Sequence, residues 1–136
     1  MGRRSKAREC AFQLLYQWEI SKDPIDGVID AFWRVRSGTA PAREMAERLA
    51  RGAQREAAAL DAMIAETASH WRLERIATVD KNILRLAAYE LSHEATPPLV
   101  VIDEAVEIAK RFGEADSPAF VNGVLDAIMK KVKAKA

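Results

Sequence analysis

The stretch that decides the fold is TPPLVVIDEAVEIAKRFGEADSPAFVNGVLDAIMKK, residues 96–131. It holds the chain's one short β-branched run, Leu99 to Ile102. That run flows into Val101, Ile102, Ala105, Val106, Ala109 and Phe112, which recur at helical rather than alternating spacing. Thr96-Pro97-Pro98 stops the preceding element and starts this helix, because proline fits a first helical turn and breaks an interior. Gly113 is expected to supply the left-handed residue that closes the helix. Asp116 or Ser117, with Pro118, then opens a last helix whose inner face is Val121, Val124, Leu125 and Ile128.

Working back along the chain, Thr78 reads as an N-cap for TVDKNILRLAAYELSH, with Val79, Ile83, Leu86, Ala87 and Leu91 inward. The stretch before it, WRLERIATVD from residue 71, is the least periodic and is expected to hold a short helical turn. A long helix is expected from Thr39 and Pro41 to about Ser69-His70, with Met45, Leu49, Ala53, Leu60, Met63 and Ile64 on one stripe. Gly52 interrupts that stripe at a cost of about 1 kcal/mol relative to alanine, which points to close helix packing. Asp23 as N-cap and Pro24 begin a second helix carrying Ile25, Val28, Ile29, Phe32 and Trp33, which stops near Ser37-Gly38. The first helix covers roughly residues 4–20. The expectation is a single all-α domain of about six to seven helices, as two small helical bundles packed together, roughly residues 1–70 and 71–136.

Composition narrows the function. The 136 residues suffice for one compact domain, and 49% are apolar. Charged residues reach 30% yet nearly cancel, at a formal net of +1, so any electrostatic role must come from clustering. The lone Cys10 excludes an intrachain disulfide and fits a reducing, cytoplasmic setting. No apolar run approaches the roughly 20 residues of a membrane span, and Gln13, Gln17 and Glu19 interrupt any signal-peptide core.

Catalytic and cofactor chemistry finds no support. His70 and His93 lack partners at ligand spacing, so no zinc or other metal site is expected. There is no phosphate-binding glycine loop and no nucleophile elbow. Asp103, Glu104 and Glu107 fit early turns of a helix, where acids complement the dipole. The chain is read as a non-enzyme without a cofactor.

One cluster does ask for an explanation. Arg3, Arg4, Lys6 and Arg8 stand at the start of the first helix with no acid among them. The macrodipole disfavours cations there by a few tenths of a kcal/mol to about 1 kcal/mol each. Lys130, Lys131, Lys133 and Lys135 sit at the favourable end of theirs. A solvated, frayed terminus is one explanation; the other is an anionic partner. On a helical wheel Ala7, Ala11, Leu14, Leu15 and Trp18 share one face, from which Phe12 departs by roughly 120° and Tyr16 by roughly 160°. Tyr16 therefore either packs against a second sub-bundle or meets a ligand. Arginines beside aromatic rings suit single-stranded nucleic acid, because guanidinium groups hold phosphates and rings stack on unpaired bases.

Three separated blocks then resemble the NusB family of bacterial transcription antitermination proteins: RRSKARECAFQLLYQWEI, VDKNILRLAAYEL and PLVVIDEAVEIAKRFGEADSPAFVNGVLDAIMKK. The resemblance spans essentially the whole chain and is loosest over residues 21–75. It implies two packed helical bundles and binding of boxA, a single-stranded RNA element of ribosomal RNA leaders. It implies NusE, a small-subunit ribosomal protein, as partner, and a larger antitermination complex with RNA polymerase and other Nus factors. It also implies that some members form homodimers that cover the RNA site. The family's basic arm falls on Arg3, Arg4, Lys6 and Arg8, interrupted by Ser5, and its RNA-linked tyrosine on Tyr16. Further RNA-linked positions fall on Asp80, Asp116, Phe120 and Asn122.

Several of those positions have structural alternatives. Asp80 can serve the dipole of its helix, Asp116 can cap the last helix, and Asn122-Gly123 can permit a close helix crossing. Two functional alternatives stand beside the antitermination reading. One is an RNA-binding accessory domain like that of ribosomal RNA cytosine methyltransferases, although the chain ends at Ala136 without a catalytic domain or cofactor loop. The other is a protein-interaction module whose partner alone holds RNA.

Overall fold

The computed structural model describes residues 2–68 and 73–135. Seven α-helices and one 3-10 turn make up the described residues, with no strand among them: α1 (Arg3–Ser21), α2 (Ile25–Arg34), α3 (Ala40–Arg55), α4 (Ala57–Thr67), the turn Leu73–Arg75, α5 (Thr78–His93), α6 (Pro98–Phe112) and α7 (Ser117–Lys135). The all-α expectation holds, and Leu99 to Ile102 lie within α6. The boundary expected between residues 70 and 71, and His70 itself, fall outside the described residues.

Helix α5 is the axis of the fold. It packs against α1, α3, α4, α6 and α7, and every residue from Asn82 to Glu90 is buried. Helices α1, α2 and α3 pack together on one side; α6 and α7 pair on the other, with α4 joining α3 to α5 and α7. The last helix buries Val121, Val124, Leu125 and Ile128, as its spacing requires.

Several element ends differ from the sequence reading. The long third helix is two, broken at Glu56, whose N–H still bonds the Gly52 carbonyl at 3.0 Å. Leu49, Ala53, Leu60 and Ile64 remain buried across the break, so the apolar pattern carries no mark of it. Thr39 does cap α3, accepting the Ala42 N–H at 3.3 Å. Pro24, rather than Asp23, occupies the N-cap of α2, and Ala77, rather than Thr78, that of α5. Gly113 closes α6 in an extended conformation, φ −94°, so a left-handed residue is not its role. Its missing side chain matters for space: a Cβ there would lie 2.5 Å from Ser117 Oγ. The left-handed residue is instead Lys22, φ 62°, which ends α1.

Gly52 fulfils the packing expectation, since a Cβ there would lie 2.2 Å from Tyr89 Cζ. Gly123 does not, because a Cβ there would meet nothing within 4 Å.

Candidate nucleic-acid interface

Helix α1 carries no acid in its first turn and no side-chain cap at Gly2, so its exposed N-terminal dipole is left to the basic residues. Residues 3, 4, 6 and 8 of one helix cannot all share a face, and the arm divides accordingly. Arg3, Arg4 and Lys6 are exposed and pair with no carboxylate among the described residues. Arg3 and Arg4 border a hollow of about 530 Å³ with Pro41, Met45, Arg48, Glu94 and Pro97.

Arg8 turns inward. It is 4% exposed, and its Nε donates to both Glu90 oxygens at 2.9 and 3.1 Å while Nη2 donates to Oε2 at 2.6 Å. Glu104 adds a carboxylate 3.7 Å from Nη1. Burial alone would lower the guanidinium pKa, but Glu90 and then Glu104 outweigh it, and the net direction is upward. Its Nε and Nη2 are thus committed to the buried Glu90, and its Nη1 faces the half-buried Glu104 rather than solvent. Arg8, which the sequence groups with the basic arm, is placed apart from its exposed members and fastens α1 to α5 and α6.

Tyr16 is half-buried. Its ring lies 6.2 Å from Phe12, which in turn lies 5.2 Å from Phe112. The packing possibility for Tyr16 is realised, and the same ring lines an open groove of about 570 Å³. Phe12, Gln13, Gln17, Phe32, Arg36, Val79 and Phe112 are among the other groove residues. Helix α1 is not a simple amphipathic helix: Arg8, Glu9 and Phe12 are buried too, outside the stripe of Ala7, Ala11 and Leu14.

Asp80 follows the groove residue Val79 and is 9% exposed. Burial pushes its carboxyl upward; a hydrogen bond from the Ser117 hydroxyl pulls it back, and nearby Asp116 and Glu114 push it up again. Its Oδ1 meets no hydrogen-bond partner among the described residues. Ser117 Oγ also accepts the Glu114 N–H at 3.0 Å, so Asp80 reaches the start of α7 through this hydroxyl. Asp116 and Asn122 are exposed on α7 and the turn before it, and Phe120 is half-buried against the core. The Asp116 carbonyl accepts the Phe120 N–H at 3.1 Å, placing Asp116 at the helix start.

A second charge cluster locks the other end of α1. Arg85 of α5 makes two parallel bonds to Asp61, at 2.7 and 2.8 Å, and reaches Glu19 at 2.5 Å and Asn82 at 3.1 Å. Lys81 pairs with Glu19 at 2.7 Å. Burial would raise the Glu19 carboxyl, yet Lys81 and Arg85 hold it below its ordinary value. No group of three or more potential metal ligands exists among the described residues. No helix among them is long and apolar enough to cross a membrane.

The sequence reading passed over Gln13, Gln17 and Arg36. The signal for the first two was their place, with Lys6, on the one wheel sector of α1 that no apolar residue fills. For Arg36 it was the position one turn after Phe32, where a guanidinium can lie on a ring.

The NusB family model matches residues 5–130. The transcription antitermination protein NusB of Sorangium cellulosum is 45% identical over 129 residues, covering 94% of this chain and 92% of that protein. The solved structure of T. maritima NusB superposes with a TM-score of 0.87 at 37% identity, covering 100% of this chain and 99% of the other. A chain from the crystal structure of antitermination factors NusB and NusE in complex with dsRNA gives 0.87 at 29% identity, over 96% and 98% of the two chains.

Proposed function

The chain belongs to the NusB family, and from that membership we propose that it is a non-enzymatic antitermination factor that binds boxA RNA together with NusE and promotes ribosomal RNA transcription. The observation that carries this reading is the division of α1. Arg3, Arg4 and Lys6 project into solvent without carboxylate partners, while the Tyr16 ring opens onto a groove further along the same helix. Phosphates near an uncapped helix N-terminus are attracted by the dipole and the cations together. This reverses the cost those cations carry in the free protein.

Each proposed residue has a distinct task. Arg3, Arg4 and Lys6 hold phosphates, and Tyr16 and Phe120 offer rings to unpaired bases. Asp116 and Asn122 present polar groups where α7 begins. Asp80 works from beneath by positioning Ser117. RNA polymerase and the other Nus factors join through the NusE-containing complex, and a homodimer covering the RNA face would be a storage state.

The test is RNA binding at graded salt, with single-stranded boxA RNA and a duplex competitor. Three neutralised phosphates give a slope of log affinity against log salt near −2. Salt-independent binding, or equal preference for the duplex, would count against the reading.

A protein-interaction module is the second reading. It is favoured by Leu99 and Val100, which stand 68% and 42% exposed at the start of α6. Crosslinking RNA to the isolated chain discriminates: no adduct on α1 or α7 supports this second reading.

A further inference from the structure

Arg36 lies beyond the end of α2, outside the basic arm, and lines the groove beside Tyr16. Its guanidinium sits 4.2 Å from the centroid of the Phe32 ring, and it pairs with no carboxylate among the described residues. A guanidinium held by one face against a ring keeps its N–H edges available, and the stacking fixes its direction in advance. This is the arrangement a phosphate can fork onto at little ordering cost.

Arg36 meets α1 along the groove it lines with Gln13, Tyr16 and Gln17. The Cys10 thiol, raised by burial, is pulled down by both Lys6 and Arg36, in keeping with that placement. Lys6, Gln13 and Gln17 occupy one face of α1 at helical spacing, and both glutamines line the groove. The groove's carboxylate, Asp23, is at the opposite end of α2 from Arg36, on the order of 15 Å away along the helix. An anionic strand is thus drawn to the Arg36 end of the groove, where the Tyr16 ring and the glutamine amides suit unpaired bases.

We propose that Arg36 is a phosphate contact joining the arm to the Tyr16 groove, so that one RNA strand runs from Lys6 past Arg36 to Tyr16 with bases against Gln13 and Gln17. Glutamine amides carry both a donor and an acceptor, which suits the edges of unpaired bases. The proposal rests on the RNA reading above and adds a residue and a direction to it.

The experiment is fluorescence anisotropy with labelled single-stranded boxA RNA of about 12 nucleotides, across a salt series, on the full chain. Arg36→Ala is expected to weaken binding roughly tenfold and to flatten the salt slope by about 0.7. Arg36→Lys is expected to keep the slope and recover part of the affinity. Weaker binding at an unchanged slope, with a lowered melting temperature, would assign Arg36 a packing role and overturn the proposal. An unchanged slope in Arg36→Ala, while Arg3→Ala/Arg4→Ala flattens it, overturns the proposal and leaves the RNA reading standing. Wild-type protein that binds no RNA at any salt overturns both. Loss of NusE binding with the RNA slope intact would assign the groove to a protein and overturn the proposal.

Discussion

The Arg8 guanidinium meets the Glu90 carboxylate edge to edge, deep between α1 and α5, with Glu90 only 1% exposed. A buried pair is costly to half-remove, because the survivor keeps its desolvation penalty without its partner. Arg8→Ala is expected to destabilise by about 3–5 kcal/mol, read as a shift in urea midpoint. The double variant Arg8→Met/Glu90→Leu should recover most of that loss. Its RNA salt slope should match wild type; a slope flattened by about 0.7 would restore Arg8 to the phosphate-binding set.

Gly52 and Gly123 make a contrasting pair. Gly52→Ala drives a methyl into the Tyr89 ring and should cost about 1–3 kcal/mol. In a Tyr89→Leu background the same substitution should cost less; an equal cost would show that the ring is not the obstacle. Gly123→Ala meets open space within α7 and should stabilise by roughly 0.5–1 kcal/mol through helix propensity.

Two carboxylates give opposite pH signatures. Asp80 holds its proton more tightly folded than unfolded, where its ordinary value is 3.8. Its penalty is absent below that value and grows as pH rises through the raised folded value, so stability falls across that window. Glu19 is the reverse: its contribution is present above its ordinary 4.5 and is lost as pH falls through the depressed folded value. Asp80→Asn should therefore raise the midpoint at neutral pH and flatten the upper window, while Glu19→Gln should remove part of the acid-side loss. Urea midpoints from pH 3 to 7, at roughly half-unit steps, would check both. A wild-type-like profile in Asp80→Asn would refute the first.

Tyr16 separates stacking from hydrogen bonding. Tyr16→Phe should bind single-stranded RNA almost as well as wild type. Tyr16→Ala should lose about 1–3 kcal/mol of binding free energy, measured by anisotropy. A larger loss in Tyr16→Phe would make the hydroxyl, rather than the ring, the important group.

The helices were legible because Pro24, Thr39, Pro41, Pro97, Pro98 and Pro118 punctuate them and the apolar stripes run at one period. The break at Glu56 was not, since the stripe from Leu49 to Ile64 keeps its register through it. Burial of α5 on every side was also hidden, because Asn82, Arg85 and Glu90 look like a solvated face until their partners on α1 and α4 are known. The same limit applied to Arg8. A run of cations gives its charge away in sequence, but which member turns inward depends on Glu90, 82 positions later. Arg36 escaped for a related reason, because the groove it shares with Gln13 and Tyr16 is created by the packing of α2 on α1.

The enclosure of α5 sets the time scale on which parts of the molecule can open. Backbone amides from Ile83 to Tyr89 should exchange with deuterium only when the whole chain unfolds, while those at the start of α1 and α7 exchange through small local openings. The first turns of α1 and α7 can then fluctuate without loosening the helix to which both charge clusters are anchored.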